Sequence, residues 1–249
     1  ILIQNGYQRQ VKGKLWQSIR GLPGIGFMKF KINEIFTSLQ GEGTRAGRMC
    51  CFIRLTGCPL RCVYCDTEYA FYEGQMKELD EISGEVIKQI GTPGSQINAP
   101  FVELTGGEPL AHPHTRDLLS HFLGLNYEVA IETAGSHDLS LVPSQVIKIV
   151  DRKTPGSGEV NQWLETNLMY LVPGQDELKF VLVNESDYDW SKQWCLERKI
   201  LDHHTVLFSP AWGSLNPQWL AEKIIKDRLP VRYQTQLHKV IWGADRTGV

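Results

Sequence analysis

Short apolar runs alternate with amphipathic helical stretches along most of this 249-residue chain, and no other feature constrains its fold as strongly. Strands are predicted over 29–35, 49–56, 101–105, 127–132, 146–150, 177–183, 205–208 and 231–234. Between many of them lie stretches of helical period. In "DEISGEVIKQIG", Ile82, Val86, Ile87 and Ile90 fall on one face, and Gly91 suits a C-terminal stop. "NPQWLAEKIIKDR" offers Asn216 as N-cap and Pro217 at the first helical position, with Trp219, Leu220, Ile224 and Ile225 turned inward. Strands separated by helices indicate βαβ units and a mainly parallel sheet. A single α/β domain is predicted.

Charge and composition narrow the function classes. The net charge of −2 leaves no electrostatic footprint for nucleic acid. No apolar run approaches the roughly 18–20 residues of a membrane span. The acid-free stretch 1–27 carries Arg9, Lys12, Lys14 and Arg20, and the remainder holds 22 basic and 28 acidic residues, a net of −6. The clean strand pattern "MKFKINEIF" opens only at Met28, so 1–27 is expected to be an N-terminal extension outside the core, non-native or disordered, and 28–249 the core domain.

Six cysteines are too few to staple a chain of this size, and their clustering points to a reducing, cytoplasmic setting and a metal role. Cys58, Cys62 and Cys65 stand in C-x3-C-x2-C spacing. A zinc site wants four ligands, and the histidines form no spaced pair. A redox C-x-x-C is present at Cys62–Cys65 but follows a loop, with no clear helix start. An iron–sulfur cubane normally takes four thiolates, so three leave one iron open to an outside ligand. Cys50, Cys51 and Cys195 are read as packing residues. The remaining histidines are read as surface or loop residues, and the tryptophans of the C-terminal half as core or interface.

The triad resembles the signature of the radical S-adenosylmethionine (SAM) superfamily, in which SAM chelates the open iron of a [4Fe–4S] cluster and is cleaved to a 5′-deoxyadenosyl radical. "FVELTGGEP" is a strand ending in two glycines, where backbone can approach a ligand closely. It resembles the superfamily's GGE motif. That resemblance implies an incomplete or modified (β/α)6 barrel, with SAM held by Gly106, Gly107 and Glu108.

The stretch "NEIFTSLQGEGTRAGRMCCFIRLTGC" is the most distinctive. Arg54 interrupts an apolar strand, and a buried guanidinium needs an anionic partner. With "CDT" after the last cysteine, TGGEP, Glu132-Thr133-Ala134-Gly135 and "QLHKVIWG", the segment resembles the 7-carboxy-7-deazaguanine synthases of queuosine and 7-deazapurine biosynthesis.

The resemblance implies a lyase that contracts the ring of 6-carboxy-5,6,7,8-tetrahydropterin with loss of ammonia. Glu42, assisted by Gln40, would accept the pterin amino group and ring N–H. Arg54 would hold the C6 carboxylate, with Thr105 and His238 as further substrate contacts, and Glu132 would contact substrate or handle a proton. Thr67 matches the family's Mg2+ ligand, a hard oxygen suited to that ion. Thr133, Gly135 and Lys153 would join the SAM site. Asp151-Arg152-Lys153 departs from the family's Ser-Pro-Lys, so only Lys153 carries over. An external one-electron reductant of flavodoxin or ferredoxin type and a homodimer are further implications. The competing readings are a glycyl-radical activase, which acts on a protein, and a non-catalytic iron–sulfur or zinc module, which needs four protein ligands.

Overall fold

The structure, a computed structural model, describes residues 28–94 and 100–249. The extension 1–27 lies outside the described residues. All described strands join one nine-stranded sheet: β1 (Lys29–Leu39), β2 (Met49–Leu55), β3 (Gln75–Glu78), β4 (Phe101–Gly106), β5 (Glu128–Thr133), β6 (Ile147–Asp151), β7 (Glu177–Leu182), β8 (Thr205–Pro210) and β9 (Arg232–Tyr233). Its order is β3-β1-β2-β4-β5-β6-β7-β8-β9, parallel from β2 onward, with β1 antiparallel to β2 and to β3. All eight predicted strands are present. The strand β3 was not predicted, because "QMKE" is short and polar and only extends the edge beside β1.

Crossovers are made by α1 (Leu79–Ile90), α2 (Thr115–Gly124), α3 (Glu185–Glu197) and α4 (Pro217–Asp227), and α5 (Leu237–Trp242) follows β9. Short 3-10 turns replace the helix between β5 and β6 and between β6 and β7. This is a modified, open form of the expected barrel. A capping box between Glu78 and Glu81 starts α1, and Gly91 ends it at φ 77°. Asn216 caps α4 by accepting the amides of Gln218 and Trp219 at 2.9 and 3.2 Å, a contact worth about 1 kcal/mol. Ile225 corrects the inward reading of that helix. It is 75% exposed, because the stripe facing the sheet runs through Leu220 and Ile224.

Alternation along the strands sorts side chains onto two faces. One face carries Ile53, Leu104, Ile131, Val150, Phe180 and Phe208 into the main core with the helices. The opposite face buries only a small plug of Cys50, Phe101, Ala130, Ile147 and Ile149. Beyond that plug, toward the C-terminal strand ends, the same face turns polar with Arg54, Thr105, Glu132, Asp151 and Lys179. The sheet rolls around this face. Gly43 N donates to Gln234 Oε1 at 2.8 Å and Leu237 N to Gly41 O at 3.0 Å, joining the loop after β1 to the segment after β9. Thr44 and Arg45 bind Glu177, and Arg45 and Arg48 bind Glu128, which ties the same loop to β7 and β5.

Candidate active site

The rolled face encloses a cavity of about 720 Å³ at the C-terminal strand ends. The three cysteines enter it on the loop after β2, each partly exposed. Gly106 and Gly107 end β4 directly beneath that loop. A Cβ on Gly107 would stand 2.6 Å from Cys58 Cβ, and one on Gly106 would stand 2.7 Å from Leu55 N. Glu108 N donates to Gly57 O at 2.9 Å, fastening the two segments. Gly107 is therefore required by the approach of the cysteine loop itself, and Gly106 by the end of β2.

The thiols suit a multi-iron cluster better than a single ion. Among the described residues, no three His, Cys, Asp or Glu side chains converge closely enough to hold one metal ion. A cubane asks for something else, since each thiolate binds a different iron. Burial pushes the Cys62 thiol up to about 11, with Asp151 and the other two thiols adding and Lys153 opposing. Burial likewise raises Cys58, helped by Glu108 and Cys65. Such thiols release their protons to a metal, not to water at neutral pH. Cys50, Cys51 and Cys195 are buried in packing positions, as expected.

Glu108 is 2% exposed and its carboxylate is spent inside the protein. It accepts from Thr133 Oγ1 and Ala134 N, both at 2.7 Å, and from Leu110 N at 3.0 Å. Burial raises its pKa above the ordinary carboxylate value, although those three donors oppose the shift. Glu108 and Thr133 thus position the ends of β4 and β5, leaving backbone to face a ligand. Gly135, at φ 66°, packs under Trp163, where a Cβ would stand 2.5 Å from the ring. Lys153 reaches Asp151 at 2.8 Å and lies over the Tyr64 ring at 5.3 Å, inside the cavity. Its neighbour Arg152 turns the other way, stacking over Trp163, Trp190 and Trp194 at 5.3, 4.9 and 5.7 Å. Arg152 is thus taken up by that aromatic cage, while Lys153 faces the cavity. Trp212 and Trp242 lie outside the core, being 47% and 39% exposed.

Each residue of "QGEG" is engaged. Gln40 donates to Glu103 Oε2 and accepts from Glu42 N at 3.0 Å, so it anchors on β4 and positions Glu42. A Cβ on Gly41 would stand 2.6 Å from His238 Nδ1, so only glycine admits that ring. Burial lowers the His238 pKa and favours the neutral imidazole. Glu42 accepts from Lys179 at 2.8 Å, Gln236 at 3.0 Å and Gln234 at 3.1 Å. Burial works against its charge, but the Lys179 ammonium and these bonds hold its pKa below the ordinary value.

Arg54 has an anionic partner within the chain. Its Nε donates to Glu34 Oε1 at 2.8 Å, and Tyr69 OH joins the same oxygen at 3.0 Å. The guanidinium lies near the Phe36 and Tyr69 rings at 5.7 and 5.8 Å, and its two terminal nitrogens make no protein hydrogen bond among the described residues. Thr67 Oγ1 lies 3.7 Å from Cys65 Sγ at the end of the cluster loop. Asp66 is turned to Lys239 at 2.6 Å and Gln236 at 3.3 Å.

Sequence reasoning missed Lys179, Glu103 and Asp151. Glu103 is 0% exposed beneath Gln40, and burial, followed by the Glu132 charge, pushes its pKa well above the ordinary value. An isolated charged residue in an apolar strand was the available signal, the same one that singled out Arg54.

Three comparisons bear on this geometry. The model of the radical SAM superfamily matches residues 52–152, which run from the cysteine strand through the Trp-caged arginine. A 7-carboxy-7-deazaguanine synthase of Chlorobaculum tepidum is 41% identical over 220 residues, covering 88% of this chain and 96% of the relative. One from Koribacter versatilis is 40% identical over 238 residues, covering 88% and 100%. The crystal structure of QueE from Escherichia coli shares the fold, with a TM-score of 0.66 at 23% identity over 85% of this chain and 96% of that one. With the three-cysteine loop seated on its glycine pair and relatives matched over nearly their whole length, this chain belongs to the 7-carboxy-7-deazaguanine synthase family of the radical SAM superfamily.

Proposed function

We propose that the chain is a radical SAM lyase that converts 6-carboxy-5,6,7,8-tetrahydropterin to 7-carboxy-7-deazaguanine with loss of ammonia. The observation that carries this reading is the convergence of Cys58, Cys62 and Cys65 with Glu42, Arg54 and Glu132 on one cavity. Cys58, Cys62 and Cys65 would hold the cluster, and Gly106, Gly107, Thr133, Gly135 and Lys153 would frame SAM. When bound, the cluster and SAM would supply the 5′-deoxyadenosyl radical chemistry for hydrogen abstraction.

The chain's own residues then bind and orient the pterin. Glu42 keeps a lone pair on Oε1 for a pterin N–H, while its three protein donors, two of them on Oε2, hold it still. The free terminal nitrogens of Arg54 suit a carboxylate taken two-pronged, with Glu34 fixing the guanidinium plane. Neutral His238 and Thr105 complete the wall. Burial raises the Glu132 pKa above the ordinary carboxylate value, with Lys179 opposing, which suits a carboxylate that contacts substrate or handles a proton. Thr67 offers a single hydroxyl for Mg2+ at the end of the cluster loop, while Asp66 beside it is engaged with Lys239. A flavodoxin- or ferredoxin-type reductant, a homodimer and a cytoplasmic setting complete the reading.

The test is anaerobic reconstitution and reduction, followed by SAM and 6-carboxy-5,6,7,8-tetrahydropterin. Appearance of the deazapurine chromophore with release of ammonia supports the reading. Cleavage of SAM without that product would assign the chain to another radical reaction.

A further inference from the structure

The strand "ELKFVL" places one lysine in an apolar run, and its side chain is 4% exposed on the inner face of β7. Lysine is almost never buried so fully unless it is paired. Its Nζ bonds Glu42 Oε2 at 2.8 Å and Glu132 Oε1, and lies 3.6 Å from Asp151 Oδ2. Those carboxylates come from the loop after β1, the end of β5 and the end of β6. A bridge serving only to tie β7 to β5 would need neither the third carboxylate nor a place on the cavity wall.

We propose that Lys179 is a positioning residue that selects the ligand. Its ammonium holds the Glu42 and Glu132 carboxylates side by side as a paired acceptor, so the cavity takes a flat ring edge bearing adjacent N–H donors. The choice of a pterin as that ring rests on the function proposed above, whereas the charge arrangement does not.

Like charges in a water-poor site cannot both ionise without a cation between them. Lys153 cannot substitute, because Asp151 already holds it at 2.8 Å. The other ionisable groups facing Lys179 are Glu103 on β4, Tyr64 and Asp66 on the cluster loop, and His238 on α5. Glu103 and Asp66 add acid, and the neutral His238 adds no charge. In Lys179→Met, one carboxylate of the Glu42–Glu132 pair therefore takes up a proton and becomes a donor where the ligand needs an acceptor.

The experiment compares wild type, Lys179→Met, Glu132→Gln and the double variant as anaerobically reconstituted protein. Iron content and SAM binding report the fold, infrared spectra report protonated carboxyl groups, and fluorescence reports binding of 6-carboxypterin. Lys179→Met is expected to keep iron and SAM binding. It should gain a protonated-carboxyl band beyond wild type at neutral pH and bind 6-carboxypterin about 30-fold or more weakly. The double variant should lose that band, since Glu42 is no longer opposed, and, like Glu132→Gln alone, should still bind 6-carboxypterin weakly, since half of the paired acceptor is gone. No added band in Lys179→Met, a double variant that keeps the band, or a Lys179→Met that binds 6-carboxypterin as wild type does, overturns the proposal. So does loss of iron and early melting in both backgrounds, which would make Lys179 a structural tie. If wild type itself fails to bind 6-carboxypterin, the pterin reading falls and the infrared comparison alone decides the pairing.

Discussion

Gly107 and Cys58 belong to different strand ends, yet a Cβ on Gly107 would stand 2.6 Å from the Cys58 Cβ. The first cysteine of the cluster loop is thus seated directly on the backbone of the glycine pair. Gly107→Ala would also meet the Gly57 carbonyl carbon at 2.6 Å, a backbone atom that cannot swing aside. The loop must lift, at a cost of about 1–3 kcal/mol. We expect Gly107→Ala to fold with its helical circular dichroism intact but to retain substoichiometric iron after reconstitution. Full iron in that variant would show that the glycine is not there for the cysteine loop.

The six cysteines should separate into two chemical classes. In metal-free protein, Cys58, Cys62 and Cys65 are partly exposed and should react with a maleimide, whereas Cys50, Cys51 and Cys195 should react only after unfolding. Cys58→Ala is expected to abolish the brown colour, and Cys195→Ala to keep it with a stability loss of about 1 kcal/mol. Mass spectrometry of labelled peptides and iron analysis check both halves.

Arg54 is held by Glu34 through Nε and has two terminal nitrogens to spare. Arg54→Gln should raise KM for the carboxypterin by about 30-fold or more with a smaller change in kcat. Glu34→Gln should raise it less, because it only loosens the plane of the guanidinium. A tetrahydropterin lacking the C6 carboxylate should bind wild type and Arg54→Gln alike. A large difference with that ligand would remove the carboxylate from the argument.

Glu128 ties the barrel's N-terminal end through Arg45 at 3.1 Å and Arg48 at 2.7 Å. Burial works against its charge, but the bonds from Arg48 and Arg45 outweigh it and hold its pKa below 4.5. A depressed folded-state pKa gives stability that is present above the ordinary value and lost as pH falls through the lower one. The pair is partly solvated, so the gain is about 1 kcal/mol. Urea unfolding of wild type and Glu128→Gln should therefore differ most above pH 4.5 and converge as the solution is acidified below it. A gap that persists unchanged into strong acid would mean that the carboxylate's charge is not what matters.

The strands and the cluster loop were legible because their signals are local. A period of two or a C-x3-C-x2-C spacing needs no knowledge of the rest of the chain, and all eight predicted strands are found. Motif residues stood out for the same reason, and the fold shows Gln40 and Glu108 bonded to neighbouring elements, Gln40 to Glu103 and Glu42 and Glu108 to Thr133. What a strand residue faces is another matter. Lys148 in "IKIVD" and Lys179 in "ELKFVL" read alike, each a lone lysine among apolar neighbours. Lys148 lies away from the cavity and pairs with Asp176 at 2.8 Å. Lys179 lies within it, between Glu42 and Glu132. Sequence alone determined that this chain makes a parallel α/β sheet with a three-thiol loop after its second strand. Only the tertiary structure decided which buried charges meet, because Lys179 and Glu42 are 137 residues apart and come together only when the sheet rolls.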